Sequence, residues 1–202
     1  MAKLVMNVER HMFRHGRHGI RASEDFVREV ISSVGLSRGM VVADLGSGAG
    51  RFTVEIAKAV GPDGKVYAID IDDNALRELT DSARSLGLGN VEAVRADLTK
   101  GIPLPASSLD VAFMANVLHG LVHSGAGELV VKEVERVLRP GGLFVVVDFK
   151  KSFTAFGPPP WIRVSPEEVA DMVARYSSAL KVEDRRDDIG FSHYMIKFRK
   201  AP

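Results

Sequence analysis

The stretch Val41 to Phe52, VVADLGSGAGRF, constrains this chain more than any other. A run of β-branched and small apolar residues reaches Asp44, and glycines then stand at alternate positions, Gly46, Gly48 and Gly50. Glycine at this density costs backbone entropy, and a chain keeps it where the backbone must turn sharply or pass very close to something. A helical pattern, RFTVEIAKAV, follows at once. Strand, bare loop and helix start together bring unbonded N–H groups to one point, which suits a carboxylate or a ribose. In a dinucleotide loop, G-x-G-x-x-G, the last glycine lets helix and strand pack closely. Here the spacing is G-x-G-x-G, and Arg51 stands where that glycine would be. A long charged side chain there disfavours the dinucleotide version.

The rest of the chain repeats the alternation. Patterning predicts helices over 23–34, 51–60, 72–87, 126–138 and 165–178, the last opened by a Ser cap with Pro166 at its first position. It predicts strands over 40–45, 65–70, 91–96, within 108–118, and over 143–149, 180–188 and 192–200. The last two read as a hairpin. GPDG at 61–64 and RPGG at 139–142 read as turns, and 150–164 as a long loop rich in proline and aromatics. Short strands alternating with helices give an α/β doubly wound fold with a mainly parallel sheet, in one domain over 23–202. Such folds bind ligands outside the C-terminal ends of the strands, where the winding reverses. The glycine loop lies on that edge.

A second acid narrows the ligand. Asp70 ends the strand KVYAID, twenty residues after Gly50. A carboxylate there can accept both hydroxyls of a ribose. Asp72 and Asp73 already supply the cap of the next helix, which leaves Asp70 to the ligand. A third acid, Asp97, follows the third strand; alone it reads as a solvated loop acid.

Composition removes several chemistries. The 202 residues hold no cysteine, so disulfides, thiolate metal sites and cysteine nucleophiles are absent together. The longest apolar runs are strand-sized, so nothing spans a membrane, no membrane partner is expected, and no signal peptide is read. The expected compartment is cytoplasmic, and the scarcity of Cys, Gln and Asn hints at a thermophile. Net charge is +1, which gives no whole-molecule pull toward nucleic acid. Residues 1–22 form a basic arm, with Lys3, Arg10, Arg14, Arg17 and Arg21 against Glu9. A homo-oligomer is compatible with all of this.

DLGSGAG, YAIDID, VRADL, IPLPASSLDVAFMANVLHGL and VERVLRPGGLFVVVDF, in this order and spacing, resemble the class I S-adenosylmethionine-dependent methyltransferases. The branch they look most like contains the small-molecule enzymes similar to ubiquinone/menaquinone C-methyltransferases. The resemblance covers residues 25–150. It implies a Rossmann-like seven-stranded sheet in the order 3-2-1-4-5-7-6 with the last strand antiparallel, and S-adenosylmethionine as cofactor. By the same resemblance Asp44, Gly46, Ser47, Gly48 and Gly50 would wrap the methionine part. Asp70 would hold the ribose hydroxyls and Ile71 would pack on the adenine. Asp97 would take the adenine amino group, with Leu98 beside it, and Asn116 would face the cofactor near the transferred methyl.

Methyl transfer from a sulfonium is an in-line displacement with a good leaving group, so alignment and exclusion of water are the main demands. A base is needed only where the nucleophile must lose a proton. His119 is the candidate catalytic base, with His123 and Asp148 also on the ligand edge. The adenine-methylating Pro-Pro-aromatic motif is missing after the fourth strand, where ANVLHG stands; PPPW at 158–161 follows the fifth strand and is out of place. Phe153, Phe156 and Trp161 are candidates for a lip around a small apolar or aromatic methyl acceptor, or for a roof over the core. His11, His15 and His18 would share a helix face, but Gly16 and Gly19 weaken that helix and only Glu9 stands near, so no metal site is assigned. The arm reads instead as a lid or a basic segment. Other readings are a protein or RNA methyltransferase gripping its target with the arm, a cofactor-binding protein without transfer activity, and a nicotinamide-dependent oxidoreductase.

Overall fold

A computed structural model describes residues 24–152, 154 and 156–202. The basic arm 1–22, with His11, His15 and His18, lies outside the described residues, as does Phe153. The elements run α1 (Glu24–Val34), β1 (Val41–Leu45), α2 (Arg51–Val60), β2 (Lys65–Asp70), α3 (Asp73–Ser85) and β3 (Val91–Arg95). A short 3-10 helix (Leu98–Lys100), β4 (Leu109–Ala115), α4 (Leu118–His123), α5 (Gly127–Val137) and β5 (Leu138–Phe149) follow. The chain closes with α6 (Pro166–Tyr176), β6 (Leu180–Ile189) and β7 (His193–Lys200).

The seven strands form one sheet in the order β3-β2-β1-β4-β5-β7-β6. β1, β2, β3, β4 and β5 pair in parallel, and β7 runs antiparallel to both β5 and β6. This is the expected order and the expected antiparallel last strand. The winding reverses between β1 and β4, so the crevice above their C-terminal ends is where a ligand fits.

Both faces of the sheet are covered, and residue alternation sorts the two cores. Ala43 and Leu45 of β1, with Phe144 and Val146 of β5, pack against Val130, Val131 and Val134 of α5 and Val169 and Val173 of α6. Val42 of β1, with Val145 and Val147 of β5, packs against Val27, Val30 and Val34 of α1 and Ile56 and Val60 of α2. Each such side chain taken from water contributes on the order of 1.5–3 kcal/mol. α6 opens on a capping box, in which the Ser165 hydroxyl accepts from the Glu168 N–H and the Glu168 carboxylate accepts from the Ser165 N–H.

Two elements differ from the sequence reading. β5 begins at Leu138, five residues early, because Leu138 pairs with Leu109 before the register jumps to Leu143 against Val111. The RPGG turn is therefore looped out inside the strand, with Gly141 at φ 76°. The sequence analysis placed no helix at Leu118–His123 or Leu98–Lys100; both are too short to show a periodicity. No helix among the described residues is long and apolar enough to cross a membrane.

Candidate functional site

The loop after β1 is held from both sides. The N–H groups of Gly46 and Ser47 donate to the Ile69 carbonyl of β2 at 2.7 and 3.0 Å. Gly46, Gly48 and Gly50 all take left-handed φ, at 80°, 52° and 84°. Their reasons differ. A Cβ on Gly46 would lie 2.4 Å from Val117 Cγ2, and one on Gly50 would lie 2.5 Å from Leu79 Cδ1. Those two glycines permit close packing of protein on protein. A Cβ on Gly48 would meet nothing within 4 Å. Gly48 faces open space, and the Ser47 hydroxyl beside it is buried with no hydrogen-bond partner among the described residues. A polar atom buried without a partner is costly and calls for a ligand or water. The loop thus has one unpartnered buried hydroxyl beside an open glycine, but the N–H groups of Gly46, Ser47, Gly48 and Gly50 are all bonded within the protein, not free as the sequence suggested.

Two acids meet at this loop. Asp44 is 2% exposed and accepts from the Thr53 hydroxyl at 2.6 Å. Burial raises its pKa to about 7 against the pull of Thr53, and the nearby Asp70 charge adds to the rise. Asp70 Oδ2 accepts from the Gly48 N–H at 2.7 Å, and its Oδ1 from the Asp72 N–H at 2.9 Å. Asp70 therefore turns toward the glycine loop, and its oxygens keep lone pairs for two hydroxyls. Asp72 is the cap of α3, accepting from the Asn74 and Ala75 N–H groups. Ile71 stands 49% exposed on the rim, as an apolar surface waiting for a flat partner would. Asp97 has a local role: it caps the 3-10 helix, its Oδ1 accepting from the Thr99 N–H and hydroxyl. That hydrogen bond to Thr99 holds its carboxyl below the usual range despite partial burial. Leu98 beside it is buried.

The far side of the crevice is built from the ends of β4, β5 and β7. Asn116 closes β4 at φ 61° and is exposed. His119 sits in the first turn of α4, and its Nδ1 lies 2.8 and 3.1 Å from Asp148 Oδ1 and Oδ2. Asp148 is fully buried and also accepts from the backbone N–H groups of His119 and Phe149. With Nδ1–H donated to this carboxylate, Nε2 of His119 carries the lone pair, and it has no partner among the described residues. The histidine side chain keeps 13% exposure. Asp148 and His119 are thus one pair rather than rival bases. His123 ends α4, exposed, and takes no part in that pair.

His193 and Arg163 went unnoticed in the sequence. His193 opens β7 opposite Phe149, a pairing visible only once the hairpin is known to return beside β5. Its ring lies 4.2 Å from that of Phe149 and 4.7 Å from that of Phe26. Arg163 is 2% exposed and donates to the carbonyls of Lys150, Ser152, Phe156 and Pro158 and to the Thr154 hydroxyl. This one side chain closes the 150–163 loop on itself, above Phe149. Phe156 packs on Phe149 at 6.3 Å, while Trp161 is 81% exposed and roofs no core.

The comparisons agree with this geometry. A family model described as a methyltransferase domain matches residues 36–182. The ubiquinone/menaquinone biosynthesis C-methyltransferase UbiE of Pasteurella multocida is 34% identical over 125 residues, 61% of this chain and 45% of that protein. UbiE of Salmonella arizonae matches equally over 48% of its length. The chain thus spans about half the length of the curated relatives it matches. A crystal structure of a SAM-dependent methyltransferase from Aquifex aeolicus superposes with a TM-score of 0.78 at 30% identity, covering 87% of this chain and 89% of that one. The fold alone is shared with the cyclase SpnF, at 18% identity and a TM-score of 0.72. With the sheet order, the glycine loop and these matches together, the chain belongs to the class I S-adenosylmethionine-dependent methyltransferases.

Proposed function

We propose that this protein transfers the methyl group of S-adenosylmethionine to a small apolar or aromatic acceptor. When bound, the cofactor supplies an electrophilic methyl on a sulfonium. Gly46, Ser47, Gly48 and Gly50, with Asp44 beneath them, would hold its amino-acid end. Asp70 would hold the ribose, Ile71 and Leu98 would flank the adenine, and Asp97 would take the adenine amino group through Oδ2, which Thr99 does not use and which lies 3.6 Å from Lys100 Nζ. Asn116 would stand near the methyl.

The observation that carries the reading is the meeting of two half-sites at one reversal of the sheet. On one side stands a glycine cradle with an unpartnered buried hydroxyl; on the other stands a histidine with a bare Nε2. His119 Nε2 would accept the proton that the acceptor loses as its methyl bond forms. Asp148 would fix the tautomer and favour the imidazolium that results. Such proton transfer contributes roughly 10²–10⁴-fold. Phe149 and Phe156 give the acceptor side an apolar wall, and the UbiE proteins named above are C-methyltransferases of ubiquinone and menaquinone biosynthesis. Both favour a small ring-bearing acceptor.

The test is transfer from methyl-labelled S-adenosylmethionine in cell extract, followed by size fractionation. Label in the small-molecule fraction is expected. Label confined to protein or RNA would refute the small-acceptor reading, and no label anywhere would refute transfer.

A further inference from the structure

His193 is an unusual residue to find between two phenylalanine rings. An apolar side chain would fill the space between Phe26 and Phe149 without desolvating an imidazole. The histidine is 7% exposed, yet both of its nitrogens are used. Nδ1 lies 3.0 Å from the Ser192 hydroxyl, and Nε2 lies 3.0 Å from Asn116 Oδ1. A carbonyl oxygen can only accept, so Nε2 carries the proton and Nδ1 accepts from the Ser192 O–H. Ser192 is itself 4% exposed and fixed by the Lys150 N–H, which donates to its carbonyl at 2.9 Å.

The far end of this relay reaches the crevice. Asn116 is exposed and strained into left-handed φ, its N–H bonded to the Val147 carbonyl. It precedes Val117, whose side chain stands over Gly46, and lies three residues before His119. It therefore stands between the cofactor loop and the candidate base. With Oδ1 held by His193, its amide N–H2 group has no partner among the described residues. The opposite amide orientation would need the other imidazole tautomer and would present a carbonyl instead.

We propose that His193 is a positioning residue, which locks the Asn116 amide so that its N–H2 group, and not its carbonyl, is presented to the transfer point. The proposal rests on the transfer reading above. It predicts that Asn116 donates to a lone pair of the acceptor, and that the lock is present throughout the neutral pH range. Burial holds His193 to about 4, with Asp148 opposing that shift and Arg163 and Lys150 adding to it. Tyr194, next along β7, packs in the core of the opposite sheet face; its hydroxyl donates to the Val164 carbonyl and burial raises its pKa.

The experiment compares His193→Leu, His193→Gln, Asn116→Ala and the double variant His193→Leu/Asn116→Ala. Label transfer to the small-molecule fraction of extract is read beside calorimetric binding of S-adenosylmethionine and thermal midpoints. His193→Leu should lower transfer at least tenfold with cofactor affinity within threefold. His193→Gln, whose amide N–H can replace Nε2–H, should restore at least a third of the rate. Asn116→Ala should match His193→Leu, and the double variant should be no worse than either. Additive losses, or full transfer by His193→Leu, would overturn the proposal. Histidine ¹⁵N spectra decide the tautomer independently: the proton belongs on Nε2 of His193, with no titration from pH 5.5 to 8.5. A proton on Nδ1 would overturn it. A wild-type chain that transfers nothing refutes the transfer reading, and the spectra then still decide the lock.

Discussion

If Asp44 lies beneath the cofactor as proposed, cofactor binding is a proton-linked event. In the empty protein burial keeps its carboxyl protonated up to about pH 7. S-adenosylmethionine brings a sulfonium and an ammonium, and cations at the glycine loop favour the ionised carboxylate. Binding must then expel the proton. For a group at about 7 that is ordinary once loaded, about nine-tenths of a proton leaves per binding event at pH 6, about half at pH 7 and about a tenth at pH 8. Affinity should fall about tenfold from pH 8 to pH 6, or about 1.4 kcal/mol. Titration calorimetry in two buffers of different ionisation enthalpy reads the proton count directly. The Asp44→Asn protein is the control, since it cannot titrate there and the cofactor's own amine cancels in the difference. The same group acts on stability with a definite sign. Its folded pKa lies above the ordinary value of 3.8, so its contribution is full below about pH 4 and is lost as pH rises through about 7. Asp44→Asn should therefore gain stability relative to wild type as pH rises from 4 to 8. Equal proton release by wild type and Asp44→Asn at pH 6 would refute the reasoning.

Other perturbations address separate parts of the molecule. His119→Ala should lower turnover at least tenfold and leave S-adenosylmethionine affinity intact; an unchanged rate dismisses His119 as the base. Asp148→Asn should cost a similar factor and move the His119 proton from Nδ1 to Nε2, as read in ¹⁵N spectra. Gly50→Ala adds left-handed strain of roughly 1–2 kcal/mol to overpacking on Leu79 of roughly 1–3 kcal/mol. Its thermal midpoint should fall by about 4–20 °C, at roughly 2–4 °C per kcal/mol for a chain of this size; a drop below 2 °C would show that Leu79 gives way easily. Arg163→Met removes the five side-chain hydrogen bonds by which Arg163 closes the 150–163 loop, so trypsin should cut after Lys150 and Lys151 at least tenfold faster at 25 °C. An unchanged cleavage rate would mean that the Arg163 side chain does not hold the loop.

What the sequence carried was local or motif-bound. The buried strand that holds Asp44, the helix 51–60 and the acid ending KVYAID follow from periodicity and glycine placement; the bond from the Gly48 N–H to Asp70 was not foreseen. The capping box at Ser165 was readable in four residues. What escaped was set by pairing across the sheet. Asp148 and His119 are 29 residues apart and meet only because β4 and β5 end side by side. His193 reaches Asn116 across 77 residues because β7 returns antiparallel beside β5. Arg163 carries no local sequence signal; its burial depends on a loop that folds around it. RPGG read as a turn before the strand because a turn looped out within a strand uses the same residues.

The central claim is that the crevice above β1, β2 and β4 binds S-adenosylmethionine, with Asp70 on its ribose. Calorimetric titration of the wild-type and Asp70→Ala proteins with S-adenosylmethionine and with NAD tests it most directly. One cofactor bound per chain, at least tenfold weaker binding after Asp70→Ala, and no heat with NAD is the expected result. Saturable NAD binding, or S-adenosylmethionine bound equally well without the Asp70 carboxylate, would contradict it.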